Sequence, residues 1–470
     1  MKFIGKRGET NRISFYVRGS GGRIDVSGFK CKFAVGSIPR CELQCPPEML
    51  SKIPDEQSND KYELIVDDGE GEDVLFTGYA SGDTSSLSGS SVSAGFGLTH
   101  IARDLDEARI SAPKLHPASS VDYSYVFNDL SGSATGGAVT LGSSPRFFEK
   151  GKGKVSEQIV KSIQAHLKDL SSASKSPNGA TAKQDMQRSI DLLNSIEFLD
   201  GKFSKEVEDK ISGTEITSLN SWLTSRILGS ITSFGTVWDT LTGIFSELGI
   251  YLVGNNEGKV IAVADCAGMS PQGNELNGTI VTGWSKSSNF YRNVGEVVLV
   301  SDNIRSQDVS AAQGAVGGFV TYPPSGSNQG ASLAFRLPGW LNPIATIGDI
   351  KPSDMLAVQR QYARMIYTLE RSKFSTAVVT TNIAPLAVPG TVCKVKPYSA
   401  MKARSGGGVE DFDRTYAGYC HMIEHEVSAN PNGGRTMRTN FYLKNVTIDG
   451  KGAQINKHPL FDDVTPFTWK

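Results

Sequence analysis

Three β-strands can be read directly from the last quarter of the chain, and they constrain the fold more than any other feature. They are Ile383 to Val395, Tyr416 to Val427 and Arg435 to Leu443. Val392 and Lys394, then Tyr419, His421 and Ile423, follow the period of two that a pleated strand imposes. Pro389-Gly390 supplies a tight turn, and Asn430 to Gly434 supplies a hairpin loop between the second and third strands. A small antiparallel barrel edge is the expected product.

The same period recurs at the amino-terminal end. Arg12 to Val17, Phe29 to Val35, Cys41 to Cys45, Lys61 to Val66 and Val74 to Tyr79 are strand-like runs punctuated by Gly- and Asp-rich turns. Polar residues between apolar ones predict a barrel with one solvated face. Ser81 to Gly95 is dominated by Ser, Gly and Thr and is expected to be an exposed loop tip. Leu98 to Leu105 then begins a short connection.

The middle of the chain changes period. Ile159, Ile163 and Leu167 lie at helical spacing within Val155 to Leu170, as do Met186, Ile190, Leu193 and Ile196 within Ala182 to Leu199. Both read as amphipathic helices, joined by a Ser-, Pro- and Gly-rich loop at Ser171 to Thr181. Trp238, Leu241, Phe245 and Leu248 share one face of a third helix, with Gly249 as its stop. Ile250 to Val253, the turn Asn255 to Gly258 and Val260 to Ala264 follow as a strand pair.

From Thr279 the β pattern returns, in Thr279 to Gly283 and Asn293 to Val300, before a Gly-, Pro- and Ser-rich excursion at Gly314 to Gly330. Asp354 to Arg371 is the clearest helix. Met355, Val358, Tyr362, Met365, Ile366 and Leu369 form its apolar stripe, Arg360, Arg364 and Arg371 its wet face, and Ser353 a cap after Pro352. The fold class expected is mainly β with α insertions (α+β). Its parts are a first barrel at 1–110, a helical and mixed insertion at 111–278, a second barrel with a long loop and helix at 279–450, and a tail at 451–470.

Bulk properties narrow the function classes. A chain of 470 residues exceeds one ordinary core. With 48 basic against 49 acidic residues it lacks the cationic excess of a general nucleic-acid binder. The start, Met1 to Glu9, holds no apolar run of signal-peptide length, and Ile216 to Val253 is interrupted by Arg226, Asp239 and Glu247, so stable membrane insertion is not expected. Cys31, Cys41, Cys45, Cys266, Cys393 and Cys420 are scattered, which favours semi-buried thiols in a reducing compartment. Cys41-x-x-x-Cys45 is half of a zinc pattern without a second close pair. A disulfide between distant cysteines is left open by the spacing.

No catalytic constellation emerges. His421-x-x-Glu-His425 carries the letters of a metalloprotease helix but reads as strand, which puts the imidazoles about 13 Å apart with Glu424 on the other face. Trp222, Trp238, Trp284, Trp340 and Trp469 share no periodic stretch and are assigned to core and interface anchoring rather than a stacking platform. The acid pairs Asp67-Asp68 and Asp462-Asp463 are expected in solvated turns or the tail. No strand-to-helix Gly-x-Ser-x-Gly and no phosphate loop occur. Catalytic, cofactor-binding and metal residues are therefore all assigned as none, and the chain is expected not to be an enzyme.

The order of these pieces resembles a known family. A Pro-Gly turn into a strand, a Tyr- and Gly-containing strand ending near His425-Glu426-Val427, a turn and an Arg-Thr strand are similar to the baseplate hub proteins of phage tails, the late-control-D and secretion-spike group. Phe76-Thr-Gly-Tyr79 looks like the core hairpin of that family's tail-tube-like barrel. Trp238-Asp239-Thr240-Leu241 leading to Leu248-Gly249, a strand, a Gly turn and a strand resembles a second recurrent segment, and the helix before Pro389-Gly390 fits the same order. The resemblance implies two tail-tube-like barrels and a homotrimer that joins a six-fold tail tube to a three-fold central spike. It also implies contacts with tube, spike and other baseplate or wedge proteins, a lumen through which phage DNA passes, and a place in the virion after assembly in the host cytoplasm. The segments at 150–215 and 301–350 have no counterpart in it. The alternative from another class is a tail-associated wall hydrolase or carbohydrate-binding module, in which two acids from separate strands flank a sugar.

Overall fold

A computed structural model describes residues 2–4, 13–54, 59–88, 91–108, 148–173, 179–210, 235–269, 274–277, 280–289, 293–300, 319–323, 330–338, 341, 352–397, 414–429, 434–448, 457–465 and 467–469. Most of the hairpin loop expected at Asn430 to Gly434 (430–433) and most of 301–350 lie outside them, as do Trp222 and Trp340. The chain is mainly β with helices concentrated in its middle.

Alternation in the first hundred residues produces β1 (Ser14–Gly19), β2 (Gly22–Asp25), β3 (Gly28–Ala34), β4 (Arg40–Cys45), β5 (Lys61–Asp67), β6 (Glu72–Asp83), β7 (Ser86–Ser88) and β8 (Ser91–His100). Their antiparallel order is β3-β4-β8-β6-β5-β1-β2. β2 and β3 are two halves of one bent run. Hydrogen bonding passes from β1 to β4 at the bend, where Val26 N–H donates to Phe15 O at 3.0 Å and Ser27 N–H to Gln44 O at 2.8 Å. The ring thus closes on itself through the bend. Phe15, Val17, Phe29, Phe33, Leu43, Leu64, Phe76 and Phe96 fill it. Each fully buried side chain of this size contributes roughly 1.5–3 kcal/mol.

The Ser- and Gly-rich stretch expected as a loop tip is instead strand over most of its length, with 89–90 outside the described residues. Its glycines explain why. A Cβ on Gly95 would sit 2.5 Å from the Leu43 carbonyl oxygen, and one on Gly97 would sit 2.2 Å from Ser81 Oγ. Glycine here marks close approach of neighbouring strands rather than a turn.

The middle region holds α1 (Arg103–Glu107), α2 (Val155–Ala173), α3 (Gly179–Asn194), β9 (Glu197–Phe198), β10 (Lys202–Phe203), α4 (Lys205–Lys210), α5 (Val237–Leu248), β11 (Ile250–Gly254) and β12 (Val260–Ala264). The predicted apolar stripes are buried, including Ile159, Ile163 and Leu167 on α2 and Leu241, Phe245 and Leu248 on α5. Asp200 satisfies the first turn of α2 by accepting from Ser156 N–H at 3.0 Å. Thr236 caps α5 by accepting from Asp239 N–H at 3.0 Å, and Gly249 ends it at φ +69°. β12 lies between β11 and β9 in a small sheet.

The remaining strands are β13 (Asn274–Leu276), β14 (Val281–Ser288), β15 (Val294–Val300), β16 (Phe319–Tyr322), β17 (Ala331–Arg336), β18 (Ser375–Thr381), β19 (Thr391–Val395), β20 (Tyr416–Ala429), β21 (Arg435–Ile448) and β22 (Phe461–Asp462). Helix α6 (Pro352–Ser372) starts one residue before the predicted cap at Ser353 and packs with the β16-β15-β17 sheet, as in the Tyr322–Tyr367 ring contact at 5.4 Å. A second ring runs β13-β19-β20-β21-β18-β14, and the chain itself connects β13 to β14. Ala377, Val379, Cys393, Val395, Cys420, Ile423, Phe441 and Leu443 fill its interior. β13 lies before residue 279 in sequence yet belongs to this ring through its parallel pairing with β19.

The last residues do not trail away as a solvated tail. Phe461 pairs with Phe203 across β22 and β10, and Trp469 is buried against Phe441 at 5.3 Å. Asp462 accepts the Lys205 N–H at 2.9 Å and so caps the start of α4. Asp67 and Asp68 do lie at a turn, where their carboxylates accept the Gly69, Glu70 and Gly71 amides.

Candidate functional site

The two rings are fused by β20. At 14 residues it is long enough for two partners along one edge, while β21 pairs with its other edge throughout. Tyr416 to Cys420 pairs with β19 of the second ring, and Met422 to Val427 pairs with β3 of the first. The change of partner occurs between adjacent carbonyls. Cys420 O accepts from Gly390 N–H at 2.7 Å, and His421 O accepts from Val35 N–H at 3.0 Å. The Pro-Gly turn legible in sequence therefore ends one barrel at the point where the other begins.

His421 is also the extra residue of a β-bulge, because Cys420 faces Leu443 and Met422 faces the very next residue, Tyr442. Strict alternation would put His421 and His425 on one face. The bulge separates them. His421 and Met422 both line an outer cleft, whereas His425 is fully buried in the first barrel, edge-on to Phe33 at 5.8 Å and 2.9 Å from Thr439 Oγ1. Glu424 points outward to Lys30 at 3.3 Å. The strand expected over His421-x-x-Glu-His425 is present, but the shared face expected for its imidazoles is not.

The outer cleft has a volume of about 430 Å³ and lies where the two barrels meet the middle sheet. Lys32 and Arg40, directly opposite each other across β3 and β4, form one wall. Tyr251, Asp265, His421 and Lys444 form the other. Lys444 Nζ is 2.9 Å from Asp265 Oδ2 and 4.9 Å from the centre of the Tyr419 ring. Burial, with the Lys444 ammonium beside it, lowers the His421 imidazole to about 4. Among the described residues His421 Nδ1 has no hydrogen-bond partner, and neither has the buried Tyr419 hydroxyl. None of Lys32, Arg40, Asp265 or Lys444 belongs to a contiguous motif, and only the folded register brings them together.

The cysteines divide into two groups. Cys31 and Cys41 face each other across β3 and β4 and form a disulfide inside the first barrel, at variance with the thiols expected there. Their separation of ten residues is short in sequence, so the pairing follows from one antiparallel register rather than a long loop. Cys45, Cys266, Cys393 and Cys420 are free. Burial pushes Cys45 up to about 11 and Cys266 and Cys393 up to about 12, which disfavours the nucleophilic thiolate. Among the described residues no group of three His, Cys, Asp or Glu side chains is placed to hold a metal ion. The tryptophans in view are anchors: Trp238 and Trp469 are buried, and Trp284 packs on Tyr416 at 5.1 Å.

No family model matches the chain, and no curated protein matches it. Several solved structures are similar to it. A tail protein from Neisseria meningitidis shares 11% identity at a TM-score of 0.48, covering 92% of this chain and 96% of that one. The 43 kDa tail protein of prophage MuSo2 from Shewanella oneidensis shares 9% at 0.47, covering 92% and 97%. A type VI secretion component from E. coli, itself described as similar to bacteriophage tail proteins, shares 10% at 0.39, covering 93% and 78%.

Proposed function

We propose that this chain is a structural hub protein of a phage tail or a related contractile injection apparatus, and that it works as geometry rather than as a catalyst. The observation that carries the reading is the pair of barrels fused through β20 in one subunit, built from the strand and helix order that resembles the hub family. Three copies of such a subunit bring six barrels to one ring. One face then approximates six-fold symmetry for a tail tube while the chain retains three-fold symmetry for a central spike. Tube, spike and other baseplate proteins are the partners, the virion is the location, and DNA passes through the lumen.

The chemistry of the shared strand suits this role. A ring requires extended rigid surfaces, and β20 makes the two barrels one hydrogen-bonded body. Mass measurement over a range of concentrations, alone and with tail proteins, tests the oligomer, and cryo-electron microscopy of the assembled particle tests the position. A trimer at the tube–spike junction is expected. A chain that stays monomeric both alone and with its tail partners overturns the reading, whereas a monomer in isolation does not, because rings of this kind can close only on assembly.

A further inference from the structure

We propose that the outer cleft at Lys32 and Arg40 receives the acidic β5–β6 turn, Asp67 to Asp73, of a second copy of this chain, a head-to-tail contact that closes the ring. The proposal rests on the ring reading above and names the surfaces that make it.

Charge is the first argument. Like charges directly opposite on a sheet repel, yet Lys32 and Arg40 are such a pair, both exposed, with no ion-pair partner among the described residues. Glu424 faces Lys32 in register but extends to Lys30 instead. Lys444 adds a third cation and Asp265 one compensating carboxylate, so the cleft carries a net positive charge. His421 Nδ1 is buried in the same wall, without a hydrogen-bond partner among the described residues. The turn is the complement. It presents Asp67, Asp68, Glu70, Glu72 and Asp73, of which Lys2 neutralises part through Asp68 and Asp73 and Arg18 part through Glu72 at 3.4 Å. Glu70 is exposed at its tip and has no ion-pair partner among the described residues.

Position is the second argument. In the ring β1-β5-β6-β8-β4-β3, β5 and β4 are three strands apart in either direction, so turn and cleft lie on opposite sides of the barrel. Register places them at the same end. Asp67 faces Glu72 where β6 begins, Gly78 faces His100 where β8 finishes, and Arg40 at the start of β4 faces Thr99. Complementary patches on opposite sides at one end generate a heterologous contact, which closes into a ring when the rotation allows.

The test is disulfide trapping between differently tagged full-length chains, one carrying Arg40→Cys and the other Glu70→Cys. A cross-linked pair is expected, at least tenfold more abundant than with Glu48→Cys, which lies by the opposite end of the barrel beyond Cys45. Adding Lys32→Glu to the first chain should abolish trapping, and adding Glu72→Lys to the second should restore it. Wild-type sedimentation separates the failures. An oligomer without the specific cross-link overturns this contact and leaves the ring reading standing, while a chain without the cross-link that stays monomeric at every concentration, both alone and with its tail partners, overturns both.

Discussion

Lys444 Nζ lies 2.9 Å from Asp265 Oδ2, and that contact ties β21 of the second barrel to the end of β12 in the middle sheet. The Asp265 side chain is only 1% exposed and also accepts the Ala267 amide at 2.9 Å. A charge this deeply buried depends on its partner. Lys444→Met should therefore destabilise the fold by about 3 kcal/mol or more, because it strands a buried carboxylate, whereas Lys444→Met combined with Asp265→Leu should recover most of the loss. Urea unfolding of both variants checks this. Equal losses in the single and double variants would show that packing, not the charge, dominates.

Trp469 closes the second barrel from the far end of the chain. Its indole N–H donates to Val388 O at 2.8 Å, and its backbone N–H donates to Asn274 Oδ1 at 2.8 Å. Trp469→Ala should cost about 3–5 kcal/mol, the usual penalty for emptying a large aromatic site. Trp469→Phe should cost less while leaving the Val388 carbonyl without that donor. Thermal unfolding distinguishes a docked terminus from a dispensable one, since truncating a loose tail would leave the midpoint unchanged.

Acid should loosen the protein well above the carboxylate range. Burial lowers His100, His421, His425 and His458 from 6.5 to about 4. His100 shows the cause: its Nδ1 accepts from Ala102 N–H at 3.0 Å, so protonation there would set two N–H groups against each other. Between pH 6.5 and 4 these groups bind protons more tightly in the unfolded chain, so stability is full above that window and falls as pH drops through it. Asp200, raised to about 6 by burial, and Asp104, also raised by burial, act in the opposite direction but are two groups against four. Each fully titrating histidine contributes up to about 1.4 kcal/mol per pH unit. The urea midpoint should thus decline steadily from pH 7 to 4.5, and a flat profile would contradict these burials.

Much of this fold was legible because its signals are local. The apolar stripes on α2, α5 and α6, the Gly249 stop, and the alternation in β1, β3, β4, β5 and β20 depend on residues close in sequence. β18 and β8 were not read from it. Val378 and Val379 sit in a run of Thr and Ala with little contrast between faces, and β8 is built around Gly95 and Gly97, whose lack of a side chain matters only once Leu43 and Ser81 lie alongside. The fusion of the barrels was also hidden, since nothing in Phe29 to Ala34 names Met422 to Val427 as its partner. The cleft is the extreme case. Lys32, Arg40, Asp265 and Lys444 come from distant segments, and a one-residue bulge at His421 decides which imidazole joins them.

That bulge yields the last prediction, because it determines what His421-x-x-Glu-His425 can do. A zinc ion needs ligand atoms about 2 Å away on a common side. Here His421 lines the outer cleft, His425 is sealed in the first barrel with Thr439, and Glu424 reaches Lys30, whose side chain is 54% exposed. The three groups look in different directions, so the purified protein should carry no stoichiometric zinc. Glu424→Gln should change stability by less than about 1 kcal/mol, the range for an ion pair with one solvated partner. His425→Asp should be far worse, since it buries an acid beside Phe33. Metal analysis together with unfolding of both variants checks the assignment. Bound zinc that is lost on replacing either histidine would require a different path for β20 and would reopen a catalytic role for Glu424.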